Sequence, residues 1–266
     1  MVNYYKYMAG QGVIEDAKAV PVEVPLTFYI NGNQWVTLMA TPTKLNFLAI
    51  GFLYTSGIIG SLDDLLYLRV CEEDSVIEVM LTIPEQDLVQ LLSKPRSITS
   101  GCGGGVSFAI LDEYSMPISQ SKLRPEDVIS VMHNLHLASE TYRETGGIHT
   151  CALSQKDDLL VVAEDVGRHN AVDKIVGEAL WKGIDVRDKW LISSGRISSE
   201  MALKAARLGC PVIISHTSPT SLAIEVCNRI GITLIGYARG NKFNIYSGFD
   251  NLILEEKYLE KRGAVG

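Results

Sequence analysis

Three stretches decide the fold: KWLIS (189–193), PVIIS (211–215) and ITLIGYA (232–238). Each is short and apolar, and none alternates apolar with polar side chains. A strand covered on one face alternates, whereas a strand covered on both faces reads as a continuous apolar run. The segments between them read as helices. SEMALKAARLG (199–209) follows a serine cap, Ser198 or Ser199, and stops at Gly209. PTSLAIEVCNRIG (219–231) opens at Ser218-Pro219 and stops at Gly231. Strand–helix–strand alternation predicts a mostly parallel sheet. Ligands of such sheets bind where the carboxyl ends of the strands meet loops and helix N-termini.

That rule selects the loops SSGRISSE (193–200), SHTSPTS (215–221) and YARGNKFN (237–244), together with EDVGRHNAVDK (164–174) after the apolar run LLVVA. They are rich in Arg, Gly, Ser and His. The expectation is an anion site in which helix N-terminal amides act with Arg168, His169, Ser194, Arg196 and Arg239.

Towards the N-terminus the texture changes. VEVPLTFYINGNQWVTLMAT (22–41) has two β-rich runs about Asn31-Gly32, a hairpin signal. TKLNFLAIGFLYTSGI (43–58) reads as a buried helix, with Thr41 or Thr43 as cap and Gly57 as stop, and SVIEVMLTI (75–83) as a strand. SKPRSITSGCGGGVSF (93–108) holds a proline and then four glycines within 101–105, which no regular element accommodates cheaply. The division expected is a smaller α+β domain over 1–92, a Gly-rich linker and active loop over 93–123, and an α/β domain over 124–266. In the last, PEDVISVMHNLHLASETYRE (125–144) puts Val128, Met132, Leu135 and Tyr142 on one helical face.

Composition bounds the function. The 266 residues carry 24 Lys+Arg and 31 Asp+Glu, a net charge of −7, and 47% are apolar. That excludes global disorder and argues against a broad basic surface for nucleic acid. Five cysteines at long, irregular spacings are too few for a disulfide scaffold and suit a reducing compartment. The first twenty residues show no sustained apolar core of a secretory signal, and the most apolar run, Leu45 to Ile59, is shorter than the ~20 residues that cross a bilayer. A cytoplasmic protein without membrane association is expected.

Several residues are candidates for chemistry. Cys102, in TSGCGGGVS, is a thiol on a glycine loop with room for a sulfur adduct, and Lys94, Arg96 or His149 could favour its thiolate. The other four cysteines lie in apolar contexts and read as small buried hydrophobes. Asn170 and Asp173 could cap a helix, which leaves the adjacent Arg168 and His169 for a ligand. His149 is either a proton donor or a satisfied strand histidine. His133 and His136 lie three apart on a helix, and without a visible third ligand they read as an exposed face. Glu164 and Asp165 could do acid–base work, although pairing with Arg168 is the simpler reading.

Taken together, EDVGRHNAVDKIVG, SSGRISSEMALKAA, TGGIHTCAL and LIGYARGNKFNIY, with ATPTKLNFLAIGFLYTSGII near the N-terminus, resemble the formate dehydrogenase accessory sulfurtransferase family, FdhD/NarQ. The resemblance covers roughly residues 20–248. It implies a sulfur carrier that accepts persulfide sulfur from a cysteine desulfurase. The sulfur then passes to the molybdenum of a bis-(molybdopterin guanine dinucleotide) cofactor, held as bound substrate, before that cofactor enters formate dehydrogenase. It implies a cytidine deaminase-like, three-layer main domain, a homodimer, and no tightly held metal of the protein's own. Cys102 matches the first cysteine of the family's Cys-x-x-Cys loop, and Gly105 stands where the second would be. Tyr237, Ala238, Arg239, Gly240, Asn241 and Lys242 match the stretch associated with the cofactor's nucleotide part. Three other functions compete. A thiol hydrolase would need a His, for which His149 is a candidate, oriented by Asn or Asp beside the cysteine. A zinc nucleobase deaminase would need a Pro-Cys-x-x-Cys that is missing here. A non-catalytic chaperone that delivers the molybdenum cofactor would make Cys102 dispensable.

Overall fold

The computed structural model describes residues 1–84, 87–88 and 121–254. An antiparallel ribbon of β1 (Val2–Met8) and β2 (Gly12–Lys18) comes first. A four-stranded sheet follows, made of β3 (Val24–Ile30), β4 (Asn33–Ala40), β5 (Leu65–Cys71) and β6 (Val76–Leu81) in the order β4-β3-β6-β5. The β3–β4 turn is the expected one: Asn31 and Gly32 both take positive φ, 47° and 80°, as a two-residue hairpin turn demands. Leu26, Phe28 and Ile30 of β3 and Ile77, Val79 and Leu81 of β6 point to one side. There they bury Leu45, Leu48, Ala49 and Leu53 of helix α1 (Leu45–Thr55).

The larger sheet runs β12-β11-β10-β9-β7-β8. Its strands are β7 (His149–Gln155), β8 (Asp158–Asp165), β9 (Trp190–Ser193), β10 (Val212–Ser215), β11 (Thr233–Arg239) and β12 (Lys242–Ser247). The three segments that decided the fold are its parallel centre, β9, β10 and β11. The β7–β8 hairpin and β12 join them antiparallel. Trp190, Ile192, Val212, Ile214 and Ile235 face helix α2 (Pro125–Ala138), which presents Val128, Val131, Met132 and Leu135. Leu191, Ile213 and Leu234 face the opposite way. They pack under α4 (Arg168–Trp181), α5 (Ser199–Arg207) and α6 (Ser221–Ile230). Both faces are covered, so the middles of these strands are apolar whichever way the side chains point.

Helix α1 lies on the outer side of α4 and joins the two sheets. Gly51 and Gly177 let the backbones touch, for a Cβ on either would strike the other helix's main chain within 2.0 Å. Around this crossing the contacts are ionic and buried. Lys174 Nζ sits 2.6 Å from Asp165 Oδ2 and also donates to the Thr41 carbonyl, while Asp173 takes Lys204 and the Thr55 hydroxyl.

Some expectations are corrected. Helix α1 has Lys44 at its N-cap with no side-chain cap. Thr41 instead accepts the Val166 N–H, and Thr43 accepts from Lys174. The helix expected over 125–144 breaks at Ser139, whose hydroxyl turns back to the Leu135 carbonyl, and a separate short α3 (Glu140–Thr145) carries Tyr142. Asn170 is not an N-cap. Gly167 holds that place, and the Asn170 amide donates to the Met39 carbonyl and to Asp165. Asp173, expected beside Asn170 in the cap, is part of the buried network. Thr220, not Ser218-Pro219, caps α6, while Ser198 caps α5 as expected. The β1–β2 ribbon was not foreseen.

Candidate functional site

The loops singled out from sequence converge on the carboxyl edge of β9, β10 and β11. Hydrogen bonds fix the turn after β9. Ser193 Oγ accepts the Gly195 N–H at 3.1 Å, and Ser215 Oγ donates to the Gly195 carbonyl at 2.7 Å. Ser194 Oγ accepts the Thr150 N–H at 2.9 Å from the facing strand. The serines that make these loops polar thus shape the backbone that carries Arg196.

On one side of this turn lies an open cavity of about 430 Å³. Ser194, Ala238, Arg239, Gly240 and Asn241 line it, five of the residues expected to bind a nucleotide. Arg239 Nε donates to the His216 carbonyl at 2.8 Å, which leaves its terminal nitrogens to the cavity. Tyr237 takes a positive φ of 50° and places its ring outside, 5.7 Å from the Arg239 guanidinium carbon. Lys242 starts β12 on the exposed side. Tyr237 and Lys242 therefore flank the cavity without lining it. Sequence reasoning missed the opposite wall, which α2 and α3 supply through Met132, His133, Leu135, His136 and Tyr142, with His216 between. His133 and His136 are exposed, as read, and they face this cavity; their three-residue spacing was the available signal.

Arg168, His169 and Arg196 do not line the cavity. They form a second group with His149 and Glu200 on the other side of Gly195. A Cβ on Gly195 would sit 3.0 Å from His149 Nδ1 and 3.2 Å from Arg168 Cβ, so glycine permits this packing. His169 Nε2 lies 3.3 Å from Glu200 Oε2 and 3.4 Å from Ser198 Oγ. Burial, with Lys204, Arg168 and His149 nearby, brings His169 down to about 3. Burial and Arg168 also lower His149. Burial pushes Glu200 above the ordinary carboxylate range, against the pull of Lys204 and Arg168. The two histidines are therefore neutral at pH 7, and the arginines carry the positive charge.

The carboxylates Glu164 and Asp165 do not pair with Arg168. Glu164 accepts the Thr141 and Tyr142 N–H groups at the start of α3 and the Thr150 hydroxyl. Asp165 is fully buried against Lys174 and also accepts from Thr41, Gly167 and Asn170. These bonds hold the frame and leave neither group open for acid–base work. Among the described residues no three His, Cys, Asp or Glu side chains are placed to hold a metal ion. No helix among them is long and apolar enough to cross a membrane.

Cys102 lies outside the described residues, as do Lys94, Arg96 and Gly105. Cys151, Cys210 and Cys227 are buried, and burial pushes each thiol up to about 12. Cys71 departs from the expected burial: it is part-exposed on β5, with Sγ 3.1 Å from Asp74 Oδ2.

The fold and site define an α/β protein that presents a cavity and a basic cluster on one edge of a three-layer sheet. Residues 21–253 match the FdhD/NarQ family, and the chain belongs to it. It is 38% identical over 249 residues to the sulfur carrier protein FdhD of Bacillus subtilis (strain 168), covering 92% of this chain and 94% of that one. It is 40% identical over 238 residues to the protein of the same name from Staphylococcus aureus (strain MRSA252), covering 88% and 89%. The crystal structure of a formate dehydrogenase accessory protein from Desulfotalea psychrophila superposes with a TM-score of 0.77 at 28% identity, over 95% of this chain and 98% of that one.

Proposed function

We propose that this chain is a cytoplasmic sulfur carrier, a sulfurtransferase acting through a cysteine persulfide, that serves a formate dehydrogenase. The observation that carries the reading is the cavity: family membership comes with Arg239, Gly240, Asn241 and Ser194 gathered around a space of about 430 Å³. Its size and mixed lining suit a purine nucleoside. The substrate is then a bis-(molybdopterin guanine dinucleotide) molybdenum cofactor, with its nucleotide end in the cavity. A three-layer sheet with a parallel centre supports a cytidine deaminase-like main domain. A homodimer is the expected assembly.

Cys102 is the thiol assigned to the sulfur. Its thiolate attacks the outer sulfur of a cysteine desulfurase persulfide. One S–S bond forms at Cys102, the donor's S–S bond breaks, and the donor leaves as a thiolate. Passing that sulfur to molybdenum as sulfide takes two electrons. With Gly105 in place of the loop's second cysteine, they come from a reductant outside the loop. The thiols of Cys151, Cys210 and Cys227 lack thiolate character, which supports Cys102 by contrast.

The test is mass spectrometry of the protein after incubation with a cysteine desulfurase and cysteine, with activation of formate dehydrogenase measured alongside. A one-sulfur adduct on the Cys102 peptide, and loss of activation in Cys102→Ser, is the expected result. Full activation by Cys102→Ser would leave a chaperone that delivers the cofactor unchanged.

A further inference from the structure

The β1–β2 ribbon contributes to none of the three apolar cores. Every residue of both strands is exposed except Met8, which is half-buried. A two-stranded ribbon is marginal in water, and three or more strands with an apolar face are needed for a sheet to stand by itself. Strand alternation puts Asn3, Tyr5 and Tyr7 on one face with their cross-strand partners Ala17, Glu15 and Val13. Tyr5 and Tyr7 are 76% and 73% exposed there. On the other face Tyr4 donates to Asp16 Oδ2 at 2.8 Å, so that tyrosine is used within the ribbon.

The two edges of the ribbon differ. Strand β2 begins at Gly12 and carries Glu15, Asp16 and Lys18, the charged make-up that keeps an edge unpaired. Strand β1 carries Lys6 alone, among Val2, Tyr4, Tyr5 and Tyr7, which favour strands. Its outer edge has no strand beside it among the described residues. An open backbone edge is complemented by another strand, and β1 is complementary to itself. Run antiparallel about a twofold axis at Tyr5, its midpoint, it sets Tyr5 opposite its own copy, Tyr4 opposite Lys6, Asn3 opposite Tyr7 and Val2 opposite Met8. No like charges meet. The same operation on β2 about its midpoint sets Glu15 against Glu15, a repulsive pair.

We propose that two copies of the chain join through their β1 strands. The product is a four-stranded sheet in the order β2-β1-β1-β2, with Tyr5 and Tyr7 of both copies along the middle of one face. A twofold contact of this kind uses the same surface on each copy and closes on itself, so it makes a dimer and not a fibre. The proposal rests on the homodimer of the proposed function and names its contact.

The test uses the full chain. Sedimentation over a concentration series measures the dimer, and circular dichroism shows that each variant is folded. Tyr5→Glu should weaken the dimer by roughly 5- to 30-fold, because an aromatic pair gives way to facing carboxylates. Glu15→Lys, on the outer strand, should leave it within about twofold. Directly opposed residues of antiparallel strands have Cα atoms close enough for a disulfide. Under mild oxidation Tyr5→Cys should therefore give a covalent dimer whose bridge, mapped on peptides, joins the two introduced thiols, and Glu15→Cys should not. A dimer unchanged by Tyr5→Glu, or a Tyr5→Cys protein that oxidation does not link through that position, overturns the β1 contact while the homodimer stands. A wild-type chain that stays monomeric at submillimolar concentration overturns both.

Discussion

Gly51 and Gly177 meet face to face where α1 crosses α4: a Cβ built on either glycine falls 2.8 Å from the other's amide nitrogen. A Cβ on Gly51 would also lie 1.7 Å from the Asp173 carbonyl oxygen, and one on Gly177 would lie 1.9 Å from that of Phe47. The obstacles are backbone, which cannot rotate aside. Gly51→Ala and Gly177→Ala should each destabilise the protein by about 3 kcal/mol or more, at the upper end of overpacking costs. The pair should be less than additive, because the first forced separation of the helices makes room for the second. Urea midpoints of the two single variants and the double variant measure this. A loss below about 1 kcal/mol in both singles would show that the crossing is loose.

Lys174 and Asp165 are both fully buried, and the ion pair is enclosed by Thr41, Gly167 and Asn170. Removing one partner strands a buried charge. Lys174→Met should cost about 3–5 kcal/mol, and Lys174→Met with Asp165→Asn should recover part of that. Thermal unfolding of the three proteins decides it, and a double variant no better than the single one would contradict the pairing.

His169 is held at about 3, below its ordinary 6.5, chiefly by burial. The folded state therefore stays neutral where the unfolded state takes up a proton. Stability from this group is fully present above about pH 6.5 and is lost as pH falls from 6.5 towards 3, by at most about 1.4 kcal/mol per pH unit. His169→Gln should lose less stability than the wild type between pH 7 and pH 5. Parallel denaturation curves at those two pH values test the sign.

Arg239 spends its Nε on the His216 carbonyl and keeps its other nitrogens for the cavity. Arg239→Ala should weaken guanine nucleotide binding by about 1.5–3 kcal/mol. Unchanged affinity in calorimetry would take Arg239 out of the site.

Thiol reactivity should follow burial. In the native protein at pH 8, Cys71 should react with a small alkylating agent well before Cys151, Cys210 and Cys227, whose thiols burial raises to about 12. Peptide mapping after brief alkylation measures the order, and early modification of Cys151 would contradict it.

The sequence by itself determined the architecture of the larger sheet and the edge that carries the site. Unbroken apolar runs at 190–192, 212–214 and 234–236 read as strands covered on both faces. The Arg, Ser and Gly residues had nowhere to go but the loops at their carboxyl ends. The Asn31-Gly32 hairpin was equally legible, because its turn needs two positive φ angles that few residue pairs supply. Tertiary structure decided what local pattern does not encode. Glu164, Asp165 and Asn170 looked available for chemistry or capping. Their partners Thr141, Lys174 and Met39 are 23, 9 and 131 positions away, and only the folded chain brings them together. The same holds for the site. One loop-rich edge was expected to gather Arg168, His169, Arg196 and Arg239. Of these only Arg239 lines the cavity walled by α2, while Arg168 and His169 stand at the start of α4, because helices on opposite faces of the sheet reach its edge from opposite sides.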